Sequence, residues 1–264
     1  FRSITPDSTR IYVESESKGN AGGFAVSGRS SSKSNTIPFT YLVPKNYFIG
    51  HSAGSKTIAG GGEYNSFFGY ESGFNNTLGS YNVFMGRNTG YHNKTGFFNT
   101  FLGYEAGYNN DTNFNTFIGY QAGRENTKGV FNAFMGYYAG FANTTGYNNV
   151  FIGNEAGAQN TIGLSNIFIG NRCGWQNSTG TSNVFMGDFC GQMNTKCYSN
   201  VFIGSFCGNA NDSGASNVFI GTNAGLLNIK GSRNVFLCEN VGYLNKIGSD
   251  NVFIGNMSGH DNDT

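Results

Sequence analysis

The chain has 264 residues and a formal net charge of +1, with 12% charged residues against about 25% in an average domain, 16% aromatic residues, 41 glycines, 38 asparagines, 25 phenylalanines and only 3 prolines. Abundant aromatics at near-zero net charge exclude a disordered chain, and glycine without a three-residue period or proline excludes collagen. No Lys/Arg run and no long apolar stretch is present, so no nucleic-acid partner, no anionic membrane surface and no membrane span in this segment are expected.

In chain order, residues 1–45 come first and stand apart. They open on Phe1 rather than methionine, which reads as a processed product or a fragment of a longer chain. Ser/Gly/Lys-rich stretches at 14–23 and 27–35 separate candidate strands at 10–13, 23–27 and 40–43. Ile4-Thr5-Pro6-Asp7 and Leu42-Val43-Pro44-Lys45 echo one another 38 residues apart. The segment is predicted to be an irregular β lead-in that caps the remainder of the chain and shields an open sheet edge.

From 46 to 264 one pattern repeats thirteen times, and the last unit stops in mid-pattern, so the natural chain is expected to continue. Phe, then Ile, Leu, Met or Phe, then Gly recurs at Gly50, Gly69, Gly86 and onward to Gly221, with Cys238 in place of one glycine and Gly255 last. The step is 17 residues, except for 19 at the first and 16 between Gly103 and Gly119. Aligned on that glycine the unit reads N-x-F-[ILMF]-G-x-x-[small]-G-x-x-N-x-x-G-x-x. The phenylalanine never fails: after Phe48 and Phe67 come Phe84, Phe101, Phe117, Phe134, Phe151, Phe168, Phe185, Phe202, Phe219, Phe236 and Phe253. Nor does the leading asparagine, which follows Asn46 and Asn65 with Asn82, Asn99, Asn115, Asn132, Asn149, Asn166, Asn183 and Asn200, and continues to Asn251. A later asparagine fills twelve of the thirteen units, with Thr57 standing in the first.

At least two glycines per unit, each costing about 1 kcal/mol in a helix interior, rule out a helical repeat. The run Asn-Val-Phe-Ile-Gly, as at 149–153, favours a short strand closed by a turn, and the small-Gly-x-x-Asn segment is predicted as a second, weaker strand or extended edge. Each unit is then one coil of an all-β parallel solenoid, and at about 4.8 Å per coil twelve steps span roughly 58 Å. The Phe rings are expected to stack inside, and the glycines to sit at positive φ or at close backbone approaches. The asparagines are expected to form amide ladders. Val150 and Ile152, on either side of Phe151, must then point away from the core, and equivalent pairs recur along the chain. The resulting apolar stripe needs cover. Other copies of the same chain around an axis parallel to the solenoid would supply it, the alternative being another part of the same polypeptide.

The unit resembles the head repeats of trimeric autotransporter adhesins, with their short S-V-A-I-G-type strand and small-residue turns. It is also similar to the N-T-F-I-G-Y-x-A-G-x-x-N-T-T-G repeats of tail-fibre-like surface proteins in Bacteroidota, a pattern that 101–110 and 132–146 match closely. The resemblance covers about 215 of the 264 residues. It implies a left-handed roll, a homotrimer and an extracellular place on a cell or particle surface, whereas parallel crossovers are as a rule right-handed. The period here is 17 residues rather than the adhesins' shorter unit, and Phe replaces a small core residue, so a fatter cross-section is expected.

No catalytic, metal or cofactor constellation stands out, and no enzyme chemistry is expected. Cys173, Cys190 and Cys207 fall in the small-residue column and read as buried thiols, with a cross-link or a metal as the lesser alternatives. Cys197 and Cys238 replace glycines without a pattern, and His51, His92 and His260 read as exposed loop residues. Glu71, Glu105 and Glu155 share a position with Gln121, Tyr138 and Phe189, which argues against a catalytic role. Asn-x-Ser/Thr occurs at Asn75, Asn93, Asn110, Asn143, Asn177, Asn211, Asn256 and Asn262. Most of these belong to the later asparagine column, so buried ladder and glycan acceptor exclude one another. Three functions compete: a structural and adhesive extracellular fibre, with a host-surface glycan or protein as a further partner; a phage-like tail fibre or injection component; and an ice- or glycan-binding solenoid. Regular Thr-x-Thr ranks, which ice binding would favour, are absent.

Overall fold

The computed structural model describes residues 24–27, 38–43 and 45–262. The described residues are all-β and form a single sheet of fifteen strands in sequential order. Strands β1 (Phe24–Ser27) and β2 (Pro38–Val43) form an antiparallel pair, and β2 runs antiparallel to β3 (Asn46–Ile49). From β3 onward the thirteen strands are parallel and in register, through β4 (Asn65–Phe68) to β15 (Val252–Ile254). The candidate strand at 10–13 lies outside the described residues; those at 23–27 and 40–43 correspond to β1 and β2.

Coils 1 to 13 take their numbers from their phenylalanines, Phe48 to Phe253, and positions within a coil are counted from that Phe. Each coil holds one strand, three residues long beyond β4, without the second, weaker strand or extended edge expected. The small-Gly-x-x-Asn segment turns instead. In coil 7 Glu155 and Gly157 adopt φ of +53° and +57°, and Asn160 N–H closes a turn on the Gly157 carbonyl at 2.9 Å. Its amides still join the stack, because Gly157 and Gln159 N–H donate to Cys173 and Trp175 carbonyls of the next coil at 3.0 Å each. Gly153 and Glu155 N–H donate backward to Met135 and Tyr137 at 2.8 Å each. Inter-coil bonding therefore continues around the turn segments and satisfies backbone groups that a three-residue strand alone would leave unpaired.

The interior consists of four ladders. The Phe rings stack with centroids 4.6 to 5.1 Å apart and planes within 4 to 12°, one per coil. Small residues such as Ala106, Ala156 and Cys190 pack beside them. The leading asparagines run as a third column: Asn166 N–H donates to Asn149 Oδ1 at 3.0 Å while Asn149 Nδ2 donates to the Gly163 carbonyl at 2.9 Å. The later asparagines are the fourth, with Asn160 Nδ2 on Asn143 Oδ1 at 2.8 Å. Each link fills the hydrogen-bonding capacity of a buried amide that would otherwise cost free energy. Close packing explains the glycines. A Cβ on Gly157 would lie 2.6 Å from the Phe151 ring, and one on Gly163 would lie 2.2 Å from Asn160 Oδ1. In the 16-residue coil Thr112 replaces that last glycine, and its hydroxyl reaches the Gly129 carbonyl of the next coil at 2.7 Å, with Asn110 Oδ1 at 3.1 Å as a second acceptor.

Candidate functional surface

The sequence-predicted residues divide cleanly. From Phe67 to Phe236 the phenylalanines of the ladder are sealed from solvent, and Phe253 in the last coil is partly buried. The leading asparagines Asn82 to Asn200 are buried likewise. The glycosylation reading fails at Asn93, Asn110, Asn143, Asn177 and Asn211, all 0% exposed inside the later amide column, where no sugar fits. Among the remaining Asn-x-Ser/Thr sites, Asn256 is exposed, Asn75 is half-buried and accepts from Lys56 Nζ at 2.7 Å, and Asn262 is half-buried with its amide on Asn245 Oδ1.

The strand residues at −1 and +1 point outward on either side of Phe, and positions −3, in left-handed backbone, and +3, beyond the Gly at +2, flank them. Positions −1 and +1 carry the apolar stripe, such as Val83/Met85 in coil 3 and Val201/Ile203 in coil 10, half-buried to exposed along the rod and interrupted at −1 by Ser66, Thr100 and Thr116. Its neighbours were not singled out from the sequence. At −3, Tyr64, Tyr81, Phe98, Phe114 and Phe131 form one exposed stack with centroids 4.8 to 5.5 Å apart. At +3, His51 stacks on Tyr70, Arg87 lies over the rings of both Tyr70 and Tyr104, and Tyr104, Tyr120 and Tyr137 continue the column. Both columns end at coil 6. From coil 7 the −3 position holds Asn148 and then four serines, Ser165 to Ser216, and +3 holds Asn154, Asn171, Asp188, Ser205 and Thr222. Because the aromatic rings lie face to face along the stack, they turn edges outward and leave no broad ring face for a sugar to stack on.

The remaining reactive groups are placed by the same columns. Cys173, Cys190 and Cys207 are free and buried; burial pushes the thiols of Cys173 and Cys190 well above the usual range, which leaves them protonated and inert. Cys197 is also buried and its thiol is raised by burial, whereas Cys238 is exposed. The histidines are not simple loop residues: His92 sits half-buried against the edges of Tyr91 and Tyr108, and His260 stacks on Tyr243. Burial, then Lys94 and Lys56, hold the His92 pKa below its ordinary value. Burial pushes the Glu105 carboxyl up, but hydrogen bonds from Arg124, Gln121 and Tyr104 outweigh it and leave the pKa lowered. Among the described residues no three His, Cys, Asp or Glu side chains gather as a metal site, and no helix is long and apolar enough to cross a membrane. No protein-family model matches the chain, and neither does any curated protein or solved structure.

Proposed function

We propose that the chain is a non-enzymatic structural and adhesive fibre: a rigid β-solenoid rod on a cell or particle surface, working as a homo-oligomer. The observation that carries this reading is the pairing of an interior whose buried amides are mostly satisfied from coil to coil with an uncovered apolar stripe along the rod. The interior is spent on stacking coil against coil, and the outside repeats at coil spacing rather than converging on one place, as a rod requires and a catalytic site does not. The stripe supplies the partner: an in-register repeat presents the same apolar columns as its sister and can match it along its length. Left-handed winding and three copies are what the resemblance implies. Light scattering is the test, with a mass at a multiple of 28.4 kDa expected and a clean monomer overturning the oligomer. Immunogold labelling of source cells separates the settings: label on the envelope supports the surface fibre, label on tailed particles the injection component.

A further inference from the structure

Six of the twelve later asparagines open an Asn-x-Ser/Thr triplet, and five of the six are sealed: Asn93, Asn110, Asn143, Asn177 and Asn211 are 0% exposed. In the folded rod their side-chain nitrogens are taken. Asn143 Nδ2 donates to Asn126 Oδ1 at 2.6 Å and to the Gly146 carbonyl at 3.0 Å, which uses both of its hydrogens. A Cβ on Gly129 would lie 2.7 Å from that nitrogen, and one on Gly79 would lie 2.9 Å from Asn93 Nδ2. A column with no room for a methyl group beside Nδ2 has none for a sugar. The third residues of the triplets lie nearer the surface, with Thr95, Thr145 and Ser213 exposed and Thr179 half-buried. The extended chain therefore offers acceptor triplets that the folded rod withdraws.

We propose that this column decides where the chain folds: its coils close in a compartment that lacks asparagine-linked glycosyl transfer. The inference goes beyond the reading of the chain as a surface rod and constrains how such a rod is made. Transfer to an extended triplet joins the sugar's anomeric carbon to Nδ2, releases the lipid pyrophosphate that carried the sugar and removes one Nδ2 hydrogen. That hydrogen is one the ladder uses, and the added sugar would stand between two coils. The column is also late to close, because a coil is sealed only when the next has stacked on it. The next coil ends 17 residues further on, about 1–3 s of synthesis at about 5–20 residues per second. Over that interval each column asparagine stands open to the transferase. One trapped sugar interrupts a nearest-neighbour stack, and the five sites are spread from coil 3 to coil 10.

The experiment translates the full chain behind a cleavable signal sequence, with and without endoplasmic-reticulum microsomes, and reads protease resistance and glycopeptide masses. Without microsomes a resistant rod is expected; with them, sugars at the five column asparagines and loss of resistance. A competing acceptor tripeptide added to the same microsomes blocks transfer without altering the chain, and is expected to restore resistance. A variant removes the triplets and keeps the asparagines: Thr95→Ala, Thr112→Gly, Thr145→Ala, Thr179→Ala and Ser213→Ala, the glycine being the residue that most other coils carry there. It is expected to be resistant in microsomes while carrying sugar at the exposed Asn256. A translocated native chain that is resistant with bare column asparagines would show that coils close before transfer, and overturns the proposal. So does a resistant chain bearing column sugars, or a sensitive one that the tripeptide fails to rescue. A variant still sensitive in microsomes where the tripeptide rescues the native chain moves the block to the three remaining triplets, and overturns the role given to the column.

Discussion

At position +12 a side chain has no room. A Cβ on Gly180 would lie 2.0 Å from Asn177 Oδ1, yet the next coil carries Cys197 there. The thiol enters the amide column: Asn211 Nδ2 donates to Cys197 Sγ at 2.9 Å, and Sγ–H donates to the Asn211 carbonyl at 3.1 Å. Asn194 is left 0% exposed with neither amide atom paired, and Asn177 Oδ1 also loses its acceptor role. A buried unpaired polar group costs about 1–3 kcal/mol, more than the roughly 0.5–1 kcal/mol of chain entropy that a glycine adds to the unfolded state. Cys197→Gly is therefore expected to stabilise the rod by about 1–2 kcal/mol by relinking Asn177, Asn194 and Asn211. Denaturant midpoints and amide exchange in coils 9–11 check this. Faster exchange there would mean that the sulfur bonds outweigh the ladder they interrupt.

The coil is the element of this fold, and its stability comes from its two neighbours. Phe151 lies between Phe134 and Phe168 at 4.8 and 4.9 Å, with Gly157 closed against its ring. Phe151→Ala leaves two ring faces uncovered in a backbone frame that cannot collapse, at a cost of about 3–5 kcal/mol. In a nearest-neighbour array such a break also uncouples the two sides. Unfolding is expected to split into two transitions, monitored by circular dichroism against denaturant, whereas Phe253→Ala at the last coil should only fray the end. The Phe, Asn and Gly columns were legible in the sequence because each inward position tolerates one side chain. The second strand was misread because extended and turned backbone share the same small residues. Left-handed residues at −3 and +4 gave no signal at all: Phe98, Ser165 and Arg172 all adopt φ near +50 to +57°. Their conformation, costing about 1–2 kcal/mol each for a side chain with a Cβ, is imposed by hydrogen bonds to the preceding coil, such as Ser165 N–H to the Tyr147 carbonyl at 3.0 Å, and so accepts varied residues. The exposed aromatic columns were visible letter by letter, but became a surface only once −3 and +3 were known to flank the stripe.

The whole rod has two unlike ends. At one, β2 lies antiparallel to β3, so the first parallel strand is paired on both sides. At the other, β15 pairs only with β14 among the described residues, and Val252 and Ile254 are each 65% exposed. Both β3 and β15 carry the ladder residues in the same phase, Asn46 with Phe48 and Asn251 with Phe253. A chain lacking residues 1–43 would bare the near edge of β3. That edge has the register needed to continue the β15 edge of another copy. Such a contact is head to tail and never closes, so it generates open filaments rather than a finite oligomer. The truncated rod is expected to grow end to end with concentration, in particle lengths that are multiples of one rod of about 58 Å, while the full chain keeps one length. Negative-stain length distributions at rising concentration measure this directly. A truncated chain that stays at single-rod length would show that the antiparallel hairpin is not what keeps the sheet from extending.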